Sequence, residues 1–420
     1  MTMTIGFVGM THLGLVTSIA ASNRGHNVVC FDQDHFLITK LNEKDLPINE
    51  PYLDKVLNKN FKKIQFTSEV DNLNNASVVY VCPDIKTNSR GTSDLSEIKS
   101  LLEYTIDNTQ KSTVIVILSQ VNPGFTREYK NKFKNRKIYY QVETLVFGIA
   151  FQRSMFPERF IVGCDDPNYI DKNLKKYLKS YDCPILKMRY ESAELAKISI
   201  NMFLVSSVTT SNMLAEICES IGADWDEIIP SLRLDKRIGE YAYLKPGLGL
   251  SGGNLERDLA SIKKISISNN TDARLVTSWT FNSKYRKAWP YNILKKENIK
   301  LNSQIGILGL SYKENTHSVK NSPSIFTIKL LSKYNLKVYD PVVNWDTKWH
   351  KNTFVCKQKE DVLENIDVLM ILTPWPEFYD KKFLNKILKN LKNKIIIDPY
   401  NIVYDLIKDK KNIKIYTLGK

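Results

Sequence analysis

Short apolar runs, each stopped by glycine, proline or a polar residue, recur near both ends of the chain. Between them apolar residues fall at helical spacing. Such runs are what parallel strands buried on both faces look like. In the first part they are "TIGFVGMTHLG", "HNVVCFDQD", "ASVVYVCPD" and "STVIVILSQVNPG". In the last part they are "NSQIGILGLSYK", "LKVYDP", "DVLMILTPWPEF" and "KIIIDPYN". Polar residues gather at the carboxyl ends of these runs, where α/β proteins bind ligands. Cys82 and Gln120 stand there in the first set, and Thr373, Trp375, Asp398 and Asn401 in the second. The intervening "ESAELAKISINMFLVSSVTTSNMLAEICESIGAD" keeps its apolar period for about eight turns. It predicts one long helix that starts at Glu191 or Ser192 and stops before Gly222. The expected fold is therefore α/β: two Rossmann-like, doubly wound parallel-sheet domains joined by a long central helix. The expected divisions are 1–190, 191–292 and 293–420.

A chain of 420 residues is long enough for two or three domains with full cores. The net charge of +15 raises nucleic acid as a partner. The lysines, however, are scattered among asparagine and isoleucine and form no stripe, so no nucleic acid is expected. The six cysteines lie far apart with no C-x-x-C pair, so neither a metal site nor a redox dithiol is expected. No cationic leader precedes "IGFVGMTHLGLV", and the most apolar stretch, "ISINMFLVSSVTTSNMLAEI", is interrupted by Ser, Thr and Asn. A cytoplasmic protein without a membrane partner is expected. Its long apolar helix is suited to burial against a second copy, which makes a homodimer the expected assembly.

The first run enters Gly9-Met10-Thr11-His12-Leu13-Gly14, continues into a helical stretch, and returns in a second strand that ends at Asp32. An acid about 20 residues past such a turn is the dinucleotide-binding arrangement. Gly9 makes the tight turn and Gly14 lets helix and strand pack closely. The position between them, which normally lets a pyrophosphate reach the backbone, is Thr11. Its Cβ crowds that approach, while its hydroxyl is able to donate to a phosphate. Asp32 would accept from a ribose hydroxyl, which favours NAD over its phosphorylated form. In the long helix Lys197 and Asn201, four residues apart, share one face.

Taken in order, the motifs resemble the UDP-glucose/GDP-mannose dehydrogenases over nearly the whole chain. The matching stretches are "GMTHLG" with Asp32, "LNEKDLPINEPYL", "GTSDLS", "FPERFIVG", "ELAKISIN", "RIGEYAYLKPGLGLSGGNLERD", "IGILGLSYKENTHSVKNSP", "VYDP" and "ILTPWPEF". The resemblance implies oxidation of a sugar primary alcohol to a carboxylate by two successive NAD-dependent hydride transfers. A cysteine would trap the intermediate aldehyde and carry it as a thioester to hydrolysis. It implies catalytic roles for Lys197, Asn201, Asp258 and Glu143. It implies cofactor contacts at Gly9, Thr11, Gly14, Asp32, Gln120 and Lys313, and nucleotide-sugar contacts at Arg237, Lys245, Gly252, Gly253 and Lys320. A nucleotide sugar, with UDP favoured as its nucleotide, is the implied substrate.

Three departures stand out against that pattern. The family's G-G-x-C-x-x-K-D becomes "SGGNLERD", which puts Asn254 at the thiol. Its P-E-F-L-R-E-G becomes "VETLVFG", keeping Glu143 but placing Phe147 where a second acid serves thioester hydrolysis. Its S-T-V-x-P-G becomes "SQVNPG", with Gln120 replacing a water-holding threonine. A thiolate adds to an aldehyde and later leaves; a delocalised carboxamide nitrogen does neither. Two readings remain open. One is a single hydride transfer from a sugar CH–OH group. The other is a nucleotide-sugar-binding homologue without turnover.

Overall fold

Each apolar run folds into a short strand whose residues alternate between two cores. The computed structural model describes residues 2–88, 91–390, 394–408 and 413–420. The chain divides into two units, Met1–Ile200 and Asn201–Lys420. Among the described residues of the first, eight strands form one sheet: β1 (Thr4–Val8), β2 (Asn27–Phe31), β3 (Ile64–Thr67), β4 (Val78–Val81), β5 (Val114–Ile117), β6 (Lys137–Gln141), β7 (Phe160–Cys164) and β8 (Ile185–Arg189). Their order is β3-β2-β1-β4-β5-β6-β7-β8. β1 is thus flanked by β2 and β4, with Ile5 opposite Val28 on one side and Val78 on the other. That reversal of strand order opens the crevice in which Rossmann folds bind ligands.

The sheet is not parallel throughout, as the sequence pattern had suggested. β3 to β6 run parallel, but β7 pairs antiparallel with β6, placing Tyr140 opposite Gly163. The segment joining β6 to β7 does not cross back over the sheet, as a parallel partner would require. It leaves and re-enters at the carboxyl end of β6, and so keeps Glu143 to Phe147 at the ligand-binding edge. Both faces of the sheet are covered. Ile5, Phe7, Cys30 and Tyr80 meet the helix His12–Asn23 in one core. Val8, Phe31, Val79 and Val81 meet Ile98, Leu102 and the first turn of the long helix in the other. This alternation is the period-two rule of a strand buried on both sides.

The long helix spans Tyr190–Ile221, beginning just ahead of the expected start and ending before Gly222 as expected. By length and composition it is apolar enough to cross a membrane, so its Ser, Thr and Asn interruptions do not set it apart from a span as the sequence had suggested. Two of its interrupting polar residues are bonded within the chain. The Thr209 hydroxyl donates to the Val205 carbonyl, and Asn212 Oδ1 accepts from the Gly247 N–H at 2.7 Å.

The second unit carries an all-parallel sheet of β9 (Gln304–Leu308), β10 (Asn335–Tyr339), β11 (Thr353–Val355), β12 (Val368–Ile371), β13 (Ile395–Ile397) and β14 (Lys414–Tyr416). Its order, β11-β10-β9-β12-β13-β14, repeats that of the first six strands. The two turns after β1 and β9 also match. Gly9 has φ +92° and donates to the Phe31 carbonyl at 3.0 Å; Gly309 has φ +94° and donates to the Tyr339 carbonyl at 2.8 Å. A Cβ on Gly309 would overlap the Thr373 side chain in addition to straining the backbone. Gly309→Ala is therefore expected to destabilise the second unit by about 3 kcal/mol, measured by urea denaturation; a change within error would show that the turn relaxes.

Candidate active site

In the first unit the site begins at the Gly9–Gly14 turn. A Cβ on Gly14 would run into the Gly9 carbonyl oxygen, so helix and strand meet as closely as a dinucleotide turn demands. Asp32, directly after β2, accepts from the Met10 N–H at 2.7 Å through Oδ2 and from the Asp34 N–H at 3.0 Å through Oδ1. Each oxygen keeps a lone pair for a ribose hydroxyl. The cradle and this acid fit NAD.

Thr11 behaves differently from the expectation of a phosphate donor. Its hydroxyl donates to the Cys82 carbonyl at 3.3 Å and accepts from the Asp84 N–H at 2.9 Å. That bond brings the Asp84 carboxylate onto the helix, where its Oδ2 accepts from the His12 N–H at 3.0 Å. The amide that would face a pyrophosphate is thus already held by a carboxylate of the same chain. Desolvation raises the Asp84 pKa, against the opposing pull of His12 and the bonds from Thr11 and the His12 amide. Asp84 was not foreseen from the sequence, although its place just beyond the end of β4 is a ligand-facing one.

The His12 ring lies 2.9 Å from Glu50 through Nε2, and Glu50 also accepts from the Gly148 N–H at 2.9 Å. Phe147 packs its ring on that of His12, with centroids 4.3 Å apart. The position where the resemblance expects a hydrolytic acid therefore presents an apolar ring. Glu143 accepts from the Leu145 N–H, and its Oε2 lies 3.3 Å from Lys197 Nζ. The fold has brought these two sequence-predicted residues together from β6's end and the long helix. Gln120 sits half-buried beyond β5.

In the second unit Asn201 donates its amide to Asp258, which is fully buried and also accepts from Arg257 Nε at 3.1 Å. Two donors meet the buried carboxylate, as a charge removed from water requires. Asn254 is exposed at the first position of the helix Asn254–Ser268. Gly252 and Gly253 precede it, the first against the Tyr312 ring and the second beneath the methylenes of Lys320. Lys313 places its ammonium 5.8 Å from the Tyr312 ring centre. Arg237 lies on the surface paired with Asp235 at 2.6 Å, and Lys245 is exposed.

Burial disfavours the thiolate at every cysteine. Burial pushes Cys30 to about 12, Cys164 and Cys356 to about 11, and Cys82 well above its usual value; Cys183 and Cys218 are raised as well. Cys82, at the end of β4, turns its sulfur to the Val8 carbonyl inside the core.

Two Rossmann-type sheets, one with a dinucleotide turn and an acid at the end of its second strand, form an architecture that nucleotide-dependent oxidoreductases use. The chain belongs to the UDP-glucose/GDP-mannose dehydrogenase family. The family's NAD binding domain matches residues 3–180, its central domain residues 191–283 and its UDP binding domain residues 306–405. The UDP-glucose 6-dehydrogenase of Rickettsia bellii is 30% identical over 99% of both chains, and that of Rickettsia conorii 28% over 99% of both. In fold, the chain is similar to a UDP-glucose dehydrogenase from Pyrobaculum islandicum, with TM-score 0.83, 21% identity and coverage of 100% of this chain and 98% of that one. It is likewise similar to a UDP-D-ManNAc dehydrogenase from Pyrococcus horikoshii, with TM-score 0.81, 24% identity and 99% of each chain covered. NAD is the cofactor of this family's first domain, and the cradle described above is where it fits.

Removing the Asp84 charge should make the turn a better anion site. Asp84→Asn is expected to tighten NAD binding roughly fivefold to tenfold, the range of a charge at a helix terminus, as read by calorimetry. Protonation does the same in the wild type: with its pKa raised, Asp84 loses its charge at a higher pH than an ordinary aspartate. NAD affinity should therefore grow as pH falls toward the range just above that of an ordinary aspartate, and Asp84→Asn should abolish that trend. Equal affinities and equal pH profiles would remove Asp84 from the site.

Proposed function

We propose that the protein is an NAD-dependent oxidoreductase that takes one hydride from a CH–OH group of a nucleotide sugar and stops at the carbonyl. The observation carrying this reading is the lack of a cysteine in the loop "SGGNLERD". Asn254 stands at the nucleophile position, and all six cysteines have raised pKa values. Phe147 against His12 supports it further, since position 147 itself offers a ring and not a carboxylate.

NAD, when bound, supplies the hydride acceptor. Asp32 would hold its ribose and the Gly9–Gly14 backbone its phosphates. Lys197 stabilises a developing alkoxide, with Glu143 beside it to receive or return a proton. Asp258, presented by Asn201 and Arg257, is a second carboxylate able to move a proton. Asn254 both donates and accepts, and suits a contact to a sugar hydroxyl. Gly252, Gly253 and Lys320 would line the nucleotide-sugar loop, with UDP favoured. The exposed stripe Phe203, Met213, Ile217 and Ile221 on the long helix is read as the face of a homodimer, in a cytoplasmic enzyme.

A second reading is favoured by Asp84. A carboxylate seated on the His12 amide opposes the pyrophosphate, as in a homologue that binds nucleotide sugars without turning them over. Calorimetry separates the two: an enzyme binds NAD at working concentrations, and a binding protein does not.

The decisive measurement is the stoichiometry with a panel of UDP- and GDP-sugars. A ratio near one NADH per sugar consumed is expected; a ratio near two would overturn the reading of Asn254. Asn254→Cys is expected to leave a covalent sugar adduct detectable by mass spectrometry without release of free acid, because Phe147 still occupies the hydrolytic position. Release of free uronic acid by that variant would show that hydrolysis has another catalyst.

A further inference from the structure

Beneath the loop that carries Asn254 lies a side chain that neither the family motifs nor the proposed chemistry uses. Lys287, the last residue of the helix Arg274–Lys287, is 4% exposed. Its ammonium donates to Asn321 Oδ1 and lies 3.8 Å from Glu256. The other end of the same Asn321 amide reaches the loop, where Nδ2 donates to the Leu250 carbonyl at 3.2 Å and the Gly252 carbonyl at 3.4 Å. Ser283, from the same helix as Lys287, accepts from the Leu250 N–H at 2.9 Å. Asn321 itself sits at φ +54°, a conformation asparagine tolerates better than most residues.

We propose that Lys287 is a positioning residue for the substrate loop, acting through Asn321 to fix the two carbonyls that precede Asn254. An amide presents either oxygen or nitrogen to a given neighbour, and both ends of Asn321 face strong partners. A lysine ammonium only donates. It therefore dictates that the Asn321 oxygen points to Lys287 and the nitrogen to Leu250 and Gly252. Without that donor the oxygen end of the amide loses its anchor, and the hold of its nitrogen on the two carbonyls loosens. Because the loop leads directly into the helix bearing Asn254, Glu256 and Asp258, the same contact sets the start of that helix. This assignment rests on the reading that the loop receives the nucleotide sugar.

The charge of Lys287 is sensitive to conditions. Burial lowers its pKa to about 8, with Glu256 opposing the shift and Lys284 adding to it. Glu256 is in turn raised by burial and faced by Lys287, Lys320 and Lys284. Protonated Lys287 holds the amide most strongly, so the latch weakens as pH rises through about 8. A guanidinium stays charged throughout that window.

The test compares the full-length wild type with Lys287→Met, which keeps the aliphatic stem, and Lys287→Arg, which keeps the charge. Amide hydrogen exchange of residues 249–253 is read alongside UDP-glucose binding by calorimetry. Lys287→Met is expected to speed loop exchange and weaken UDP-glucose about tenfold, the loss of one charge-assisted hydrogen bond, with Lys287→Arg restoring most of both. Wild-type loop protection, corrected for intrinsic exchange, is expected to fall above pH 8 and that of Lys287→Arg to stay level. Unchanged loop exchange in Lys287→Met would overturn the proposal. So would uniform acceleration across the whole second unit, which would mark a purely structural lysine. Failure of the wild type to bind UDP-glucose would count against the functional reading and leave the exchange result to decide the role of Lys287.

Discussion

An aspartate carboxylate on a turn amide fixes the crevice in each unit. Asp32 takes the Met10 N–H and Asp340 takes the Leu310 N–H, both at 2.7 Å. Each bond ties the end of one strand to the turn after its neighbour, and so fixes the floor on which the crevice opens. The two carboxylates then diverge. Asp340 also accepts from the Ser311, Val342 and Val343 amides and from the Trp375 indole, which saturates it. Asp32 accepts from one further amide and keeps capacity for a ligand. One folding device thus leaves an acid with spare acceptor capacity in the first unit and a saturated acid in the second. The match of the NAD binding domain to residues 3–180 agrees with that division.

The departures from the family pattern follow the order of the chemistry. A four-electron oxidation needs a nucleophile to trap the aldehyde and a base to release the acid. On the proposed reading Asn254 and Phe147 stand at those two places, and the loop that carries Asn254 holds no cysteine. What the first hydride transfer requires is a cation near the alkoxide and a carboxylate to move a proton. On the proposed reading these are Lys197 paired with Glu143 in the first unit and Asp258 held by Asn201 and Arg257 in the second. A buried carboxylate with two donors and a half-buried ion pair are costly to maintain unless they are fully bonded. Here they are bonded.

The strands, the long helix and the dinucleotide turn were legible because their signals are local. Apolar runs, helical period and a glycine pair with an acid at fixed spacing each lie within a few dozen residues. The antiparallel entry of β7 was not legible, since it depends on where the segment after β6 folds back rather than on composition. The same holds for the contacts that tune the site. Asp84 is 72 residues from His12, and Asn321 is 71 from Leu250. Only the folded sheet brings such pairs together. Asp340 is an intermediate case: "VYDP" marks a strand end, but nothing in it says that the acid will be saturated.

Thr11 illustrates why a motif position cannot be judged alone. Read in sequence, it is a glycine lost from a phosphate cradle. In the fold its hydroxyl bridges the Cys82 carbonyl and the Asp84 amide, so the turn and the end of β4 are fastened to each other. The fastening is what holds the Asp84 carboxylate on the helix amide. Thr11 and Asp84 therefore act as one unit, and the effect of changing either depends on the other. Restoring a glycine at Thr11 removes a Cβ and at the same time unties Asp84, so steric relief and loss of the competing charge arrive together. Changing Asp84 alone leaves the Cβ in place and isolates the charge. The turn has been rebuilt around a carboxylate of its own, and any account of how this chain handles NAD has to begin from that internal anion.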